Sequence, residues 1–114
     1  MIEHPFMAMS WQHPCMRELI ALPGVGTTDF DQCATGLVSP GEGKPVNKHT
    51  RLFSNNPRVL ATFSELQCRC TSQHAPCIGT TCGVRMSTYC QVYTPQLCVE
   101  MLKCALDLPA HVFL

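Results

Sequence analysis

The chain has 114 residues, of which 46% are hydrophobic and 14% charged, and its eight basic residues balance eight acidic ones. This composition is typical of one small globular domain and excludes a disordered chain. Because positive charge is not in excess, net charge does not drive sequence-independent binding to a phosphate backbone. No apolar run reaches the roughly 18–20 residues that span a bilayer, so we expect no membrane partner.

The nine cysteines bear on the compartment of the protein. The first residues, Met1-Ile2-Glu3-His4-Pro5, lack the basic and apolar regions of a signal peptide. This predicts an intracellular protein, either cytoplasmic or nuclear, whose cysteines are thiols or metal ligands. Their odd number also argues against a fully paired disulfide framework. A secreted, disulfide-bonded protein is the alternative if a signal precedes this sequence.

The first half of the chain predicts two strands and one helix. The opening residues have the pattern of a strand end that runs into a loop. Pro14 begins a helix with an apolar stripe, which stops at Pro23-Gly24. A short strand is predicted over residues 26–30, where two threonines favour extended backbone. Residues 36–48 are rich in Gly, Pro, Ser and Asn and predict a flexible loop.

The second half begins with a predicted strand at residues 50–54. Asn56-Pro57 is a cap-and-proline start for a helix with one apolar face, formed by Val59, Leu60, Phe63 and Leu66. Residues 67–90 show no periodicity and predict a Cys-rich loop. Tyr93-Thr94-Pro95 begins the last helix, whose predicted apolar face consists of Leu97, Cys98, Met101, Leu102 and Ala105.

Alternating strands and helices predict an α/β domain. Two or three strands make a poor sheet alone, because the strands of an open α/β sheet need neighbours on both sides. The missing neighbours are expected upstream of residue 1. We therefore predict a single partial α/β domain over residues 1–109, followed by a tail at residues 110–114.

Three separated motifs carry a resemblance to a known family. They are Glu3-His4-Pro5, then Asp31-Gln32-Cys33-Ala34-Thr35-Gly36, and then the run from Lys48 to Asn55. In this order and spacing the chain resembles DNA cytosine-C5 methyltransferases of phage and mobile-element type, and similar reading frames of transposable elements. Three positions depart from the family pattern: His4 replaces Asn, Thr35 replaces Tyr or Phe, and His49 replaces Pro.

The resemblance implies a Rossmann-like, methyltransferase-type three-layer fold, of which this chain holds only the C-terminal strands and helices. Relatives bind S-adenosylmethionine at a Gly-rich turn and attack the base with a Pro-Cys loop, and both precede the first motif. The chain alone is therefore expected to bind no cofactor and to be a non-catalytic fragment. DNA is an expected partner only in a full-length context.

The matched residues acquire roles from the same resemblance. Glu3 corresponds to the catalytic carboxylate that contacts the Watson–Crick edge of a flipped cytosine. Arg51 and Lys48 correspond to substrate-binding residues. The alternative for all three is a solvated surface position. Pro14-Cys15 has the letters of the nucleophile loop, but its place predicts an ordinary helix start.

A Cys/His cluster gives a second hypothesis, independent of any family. The spacing Cys68-x-Cys70-x3-His74-x2-Cys77 supplies enough soft donors for a tetrahedral zinc ion and predicts a small zinc-stabilised binding module. The spacing is irregular, because Cys68-x-Cys70 is one residue shorter than a standard knuckle. The alternative is that these cysteines are buried thiols that pack like small apolar residues.

Overall fold

The computed structural model describes residues 1–106. Its strands are β1 (Ile2–Pro5), β2 (Gly26–Asp31), β3 (His49–Ser54), β4 (Thr80–Thr81) and β5 (Val84–Arg85). Its α-helices are α1 (Pro14–Ile20), α2 (Pro57–Ser64), α3 (Met86–Tyr89) and α4 (Pro95–Leu106). The structure is a small mixed domain of helices and antiparallel sheets, which confirms the predicted combination of strands and helices. The predicted end of the domain at residues 107–109 and the tail at 110–114 lie outside the described residues.

Strand β3 is the centre of a three-stranded sheet with the order β1-β3-β2. Both of its pairings are antiparallel, with Glu3 opposite Leu52 and Thr28 opposite the same leucine. Because β3 runs against both neighbours, β1 and β2 run in the same direction. The strands β4 and β5 form a separate antiparallel hairpin.

One face of the sheet is covered by helices α2 and α4. Since side chains alternate along a strand, the inward positions of β2 and β3 are Phe30 and Leu52. They pack with Phe63 of α2 in a cluster completed by Val59, Leu97 and Cys104. The rings of Phe30 and Phe63 lie 4.9 Å apart, which adds an aromatic contact to the buried area.

A 3-10 turn lies against the opposite face of the sheet. This turn, at Met9–Gln12, places Trp11 against Phe53, with their ring centroids 6.2 Å apart. The Trp11 indole N–H donates to the carbonyl of Pro5 at 2.9 Å, which satisfies its polar atom. Trp11 is therefore buried.

Helix α1 starts where the sequence predicts. His13 is its N-cap, and the imidazole Nδ1 accepts a hydrogen bond from the Cys15 N–H at 3.2 Å. Pro14 follows in the first turn, so Pro14-Cys15 is a helix start. Within residues 1–106, no helix combines the length and the apolar character needed to cross a membrane.

The buried face of α4 matches the predicted one at Leu97 and Met101 but not at Cys98, Leu102 and Ala105, which are exposed. Leu97 and Cys104 are buried and Met101 packs on the core, whereas Cys98 is exposed and Leu102 is 49% exposed. The sequence carries two adjacent stripes with the same spacing, i, i+4, i+7, and periodicity does not choose between them. Docking against α2 and the sheet selects the stripe that contains Leu97.

The segment 67–90 is more structured than the predicted loop. It contains the β4–β5 hairpin, whose turn residues Cys82 and Gly83 both have positive φ, and the short helix α3. A second core forms beneath it from Leu37, Val46, Ala75, Met86 and Cys90. Residues 36–48 contribute two of these side chains, so both ends of that predicted loop are anchored in the second core.

The two leucines of α4 allow a matched test of this core. Replacement of Leu97 by Ala is expected to lower the free energy of unfolding by about 2–5 kcal/mol, because it leaves a cavity in the packed cluster. Replacement of Leu102 by Ala on the same helix should change it by less than about 0.5 kcal/mol. Urea unfolding of both variants provides the measurement. Equal losses would contradict the observed orientation of α4.

Candidate metal centre

The chain that follows α2 is held against the end of β2. The backbone N–H of Asp31 donates to the carbonyl of Leu66 at 2.9 Å. The backbone N–H of Cys68 donates to Oδ2 of Asp31 at 2.8 Å. Cys33 follows Asp31 by two residues, in a short 3-10 turn over Gln32–Thr35. These contacts place the residues after α2 beside Cys33.

Four soft donors meet at this point. The thiols of Cys33, Cys68 and Cys70 and the imidazole of His74 have donor atoms that all lie within 4.8 Å of one another. The Cys68 Sγ and the His74 Nε2 are 3.3 Å apart. Cys68 is exposed and the other three are partly buried, so the group sits at the surface with one open side.

The thiols differ in their readiness to lose a proton. Hydrogen bonds from the Cys70 backbone N–H and from the Cys33 thiol lower the pKa of Cys68. Burial, together with hydrogen bonds to Cys68 and Cys70, raises the pKa of Cys33 to about 12. Cys68 therefore ionises before Cys33.

The donor set fits zinc. Three thiolates and one imidazole form a tetrahedral shell with Zn–S and Zn–N distances of about 2.3 and 2.0–2.1 Å. In such a tetrahedron neighbouring donor atoms lie about 3.5–3.8 Å apart. The four donor atoms already lie within 4.8 Å of one another, so movements of about an ångström bring them to tetrahedral distances. All four positions of the shell would be filled by protein, as in structural zinc sites.

Cys77 lies outside this group, although the sequence places it with Cys68, Cys70 and His74. Its thiol donates to the carbonyl of Asn47 at 3.3 Å and packs in the second core. Burial and a hydrogen bond with the Cys90 thiol raise its pKa to about 11. Cys77 is thus a protonated packing residue, and Cys33 takes the fourth position in the group.

Glu3 and Lys48, two of the residues assigned by resemblance, do lie together. The Tyr93 hydroxyl donates to Oε1 of Glu3. Burial raises the pKa of Glu3, while the nearby charges of Lys48 and His4 oppose that increase. Lys48 donates from Nζ to the carbonyl of Cys90 and lines an open groove of about 470 Å³ beside Phe6 and His49.

Arg51 points away from this pair. Opposite residues in the sheet share a face, so Arg51 lies with His4 and Asp29, on the other side of the sheet from Glu3. Its guanidinium is paired with the Asp29 carboxylate, with Nε 2.7 Å from Oδ1. It also lies 4.4 Å from the centre of the Phe6 ring. The three residues therefore do not converge on one substrate.

The sequence analysis missed Cys33 as a donor. Cys33 precedes Cys68 by 35 residues, which matches no knuckle spacing, and it stands inside a motif assigned to the family resemblance. A weak signal was nevertheless present, since Cys33 lies three residues after the end of the strand predicted over residues 26–30, where binding residues on loops are common. Only the docking of residues 66–68 on β2 makes it a neighbour.

The buried carboxyl of Glu3 predicts a pH effect on stability. Because its folded-state pKa is raised above 4.5, the protonated form stabilises the fold fully below that value and the contribution is lost as pH rises through the folded-state pKa. The urea midpoint of the wild type should therefore fall relative to that of Glu3→Gln as the pH rises from 4.5 through the folded-state pKa of Glu3. Glu18→Gln, on the exposed side of α1, is the control for removing a carboxyl. A constant difference between wild type and Glu3→Gln would contradict the burial of Glu3.

Comparison of the chain with protein-family models, with curated proteins and with solved structures gives no match. The arrangement of its own residues is therefore the basis for assigning a function.

Proposed function

We propose that the protein is a small binding module stabilised by one zinc ion, with Cys33, Cys68, Cys70 and His74 as its ligands. The observation that carries this proposal is the convergence of four soft donor atoms within 4.8 Å, drawn from two segments far apart in the chain. Zinc prefers thiolate and imidazole donors over carboxylates and water, which matches the composition of the group.

The role of the ion in this proposal is structural. Residues 66–74 contain no helix or strand, so few backbone hydrogen bonds of their own hold them in place. A metal bound to Cys33 would join this segment to the end of β2 and contribute binding free energy to folding. With four protein ligands the shell has no open position for a reacting water, which separates it from catalytic zinc sites.

A pair of cysteine variants separates this ligand set from the one that spacing predicts. The purified chain is expected to carry about one zinc ion. Cys33→Ser should reduce the content to below about 0.2 zinc per chain, because a hydroxyl is a poor zinc ligand. Cys77→Ser should retain the ion, because Cys77 packs in the second core. Elemental analysis after gel filtration measures both.

The exposed Cys15 supplies the background control, since Cys15→Ser removes a thiol that is not part of the group. Metal loss in Cys77→Ser with retention in Cys33→Ser would restore the ligand set predicted from spacing. A wild-type chain that carries less than about 0.2 zinc after loading would contradict the proposal, given the high affinity of structural sites.

The second candidate is a non-catalytic part of a SAM-dependent DNA methyltransferase-like protein with a Rossmann-like sheet, as found in mobile elements. The half-buried carboxyl of Glu3 and the adjacent Lys48 support it. A carboxyl that holds its proton more readily is suited to donate to N3 of cytosine while it accepts from the exocyclic amine. S-adenosylmethionine belongs to the full-length relatives in this candidate.

Nucleotide titration tests the second candidate. Amide signals of β1 and of residues near Lys48 should shift with an oligocytidine strand more than with an oligouridine strand. The difference should disappear in Glu3→Ala, because Glu3 supplies the base contact. In the same experiment S-adenosylmethionine should cause no shifts in the chain alone. Equal shifts with both strands would contradict the role of Glu3.

A further inference from the structure

Asp31, the last residue of β2, connects two other segments of the chain. Its Oδ2 accepts the backbone N–H of Cys68 at 2.8 Å, and its Oδ1 lies 2.6 Å from Nδ1 of His49. The side chain is only 15% exposed, so water competes little for either contact. The carboxylate thus joins the segment after α2 to β3, although it is not one of the four grouped donors.

We infer that Asp31 is the positioning residue of the metal centre, which it serves by holding the Cys68 backbone so that the Cys68 sulfur faces Cys33. This inference rests on the proposed zinc site. Residues behind the ligands of a metal commonly change its affinity by about 10–100-fold when they are removed. The role of Asp31 depends only on that zinc site and is independent of the methyltransferase-like candidate.

The local backbone explains why one residue has this effect. Cys33 lies two residues after Asp31, and its position is set by β2 and by the 3-10 turn that follows it. Cys68 lies in a segment without regular structure, so its position depends on contacts with other parts of the chain. Asp31 supplies two of them, through its N–H to Leu66 and through its carboxylate to Cys68. It therefore sets the separation of the two halves of the group.

His49 holds the other oxygen of the carboxylate. Its ring is on β3 beside Phe6, with the ring centroids 4.7 Å apart, where it lines the open groove. With Oδ1 held by His49, Oδ2 is directed at Cys68. Zinc binding is expected to immobilise Cys68. Because Asp31 contacts both Cys68 and His49, zinc binding should also change the environment of the His49 ring.

Zinc affinities of matched variants of the full chain test the role of Asp31, measured by competition with a chromophoric chelator. Asp31→Ala should weaken zinc binding about 10–100-fold. Asp31→Asn keeps an acceptor for the Cys68 N–H and should recover affinity to within about threefold of the wild type. Asp29→Ala removes the neighbouring strand carboxylate, which pairs with Arg51, and should also stay within about threefold.

Two spectroscopic readouts separate positioning from general loss of stability. Zinc should shift the ring signals of His49 in the wild type but not in Asp31→Ala. The cobalt-substituted Asp31→Ala should show altered ligand-field bands, because the Cys68 sulfur approaches the metal differently. If Asp31→Ala fails to fold, His49→Ala replaces it in the test. This variant removes the contact that holds the Asp31 carboxylate to β3, and it should weaken zinc binding about 3–10-fold.

Several results would overturn the inference. These are wild-type affinity in Asp31→Ala, an equal loss in Asp29→Ala, or no recovery in Asp31→Asn. A wild-type chain that binds no zinc would overturn the metal centre itself, and the role of Asp31 with it. A wild-type chain that binds zinc through Cys33 while Asp31→Ala binds equally well would overturn only the inference.

Discussion

The candidate site depends on the docking of residues 66–68 against the end of β2. The two hydrogen bonds that Asp31 makes with Leu66 and Cys68 bring together donors 35 residues apart in sequence. Closing a chain segment of that length has an entropic cost that grows only slowly with length. A few well-placed hydrogen bonds offset part of it, and a bound cation would add to them. The four donors and their geometry follow from this contact.

The polar and charged side chains of the sheet are divided between its two faces, with β3 at the centre. On the helix-covered side, the apolar core extends to the half-buried Glu3, which Tyr93 reaches from the start of α4. On the other side, Arg51 and His49 each face a carboxylate of β2, Asp29 and Asp31 respectively. Strand alternation makes this division unavoidable, because neighbouring residues of one strand face opposite ways. Glu3 and Arg51 therefore lie on opposite faces of the sheet and cannot both contact one substrate.

The nine cysteines serve different physical purposes, which their density in the sequence conceals. Three join His74 in the candidate metal centre. Cys77 and Cys90 pack in the second core, and Cys104 packs in the first. Cys82 occupies a left-handed position in the β4–β5 turn, followed by a glycine. Spacing alone grouped Cys77 with the metal ligands, because it measures distance along the chain and carries no information on the direction of the side chain.

The sequence by itself determined the local elements of this protein. Proline in the first turn and the Asn56 and Thr94 side chains placed the starts of α1, α2 and α4, because these signals act on backbone groups a few residues away. The sequence also determined that Cys68, Cys70 and His74 lie close to one another, because they belong to one short segment of the chain. Tertiary structure alone decided which of two equivalent stripes of α4 is buried and that Cys33 is the fourth donor. Both depend on contacts between segments far apart in the chain, which local periodicity and spacing do not encode.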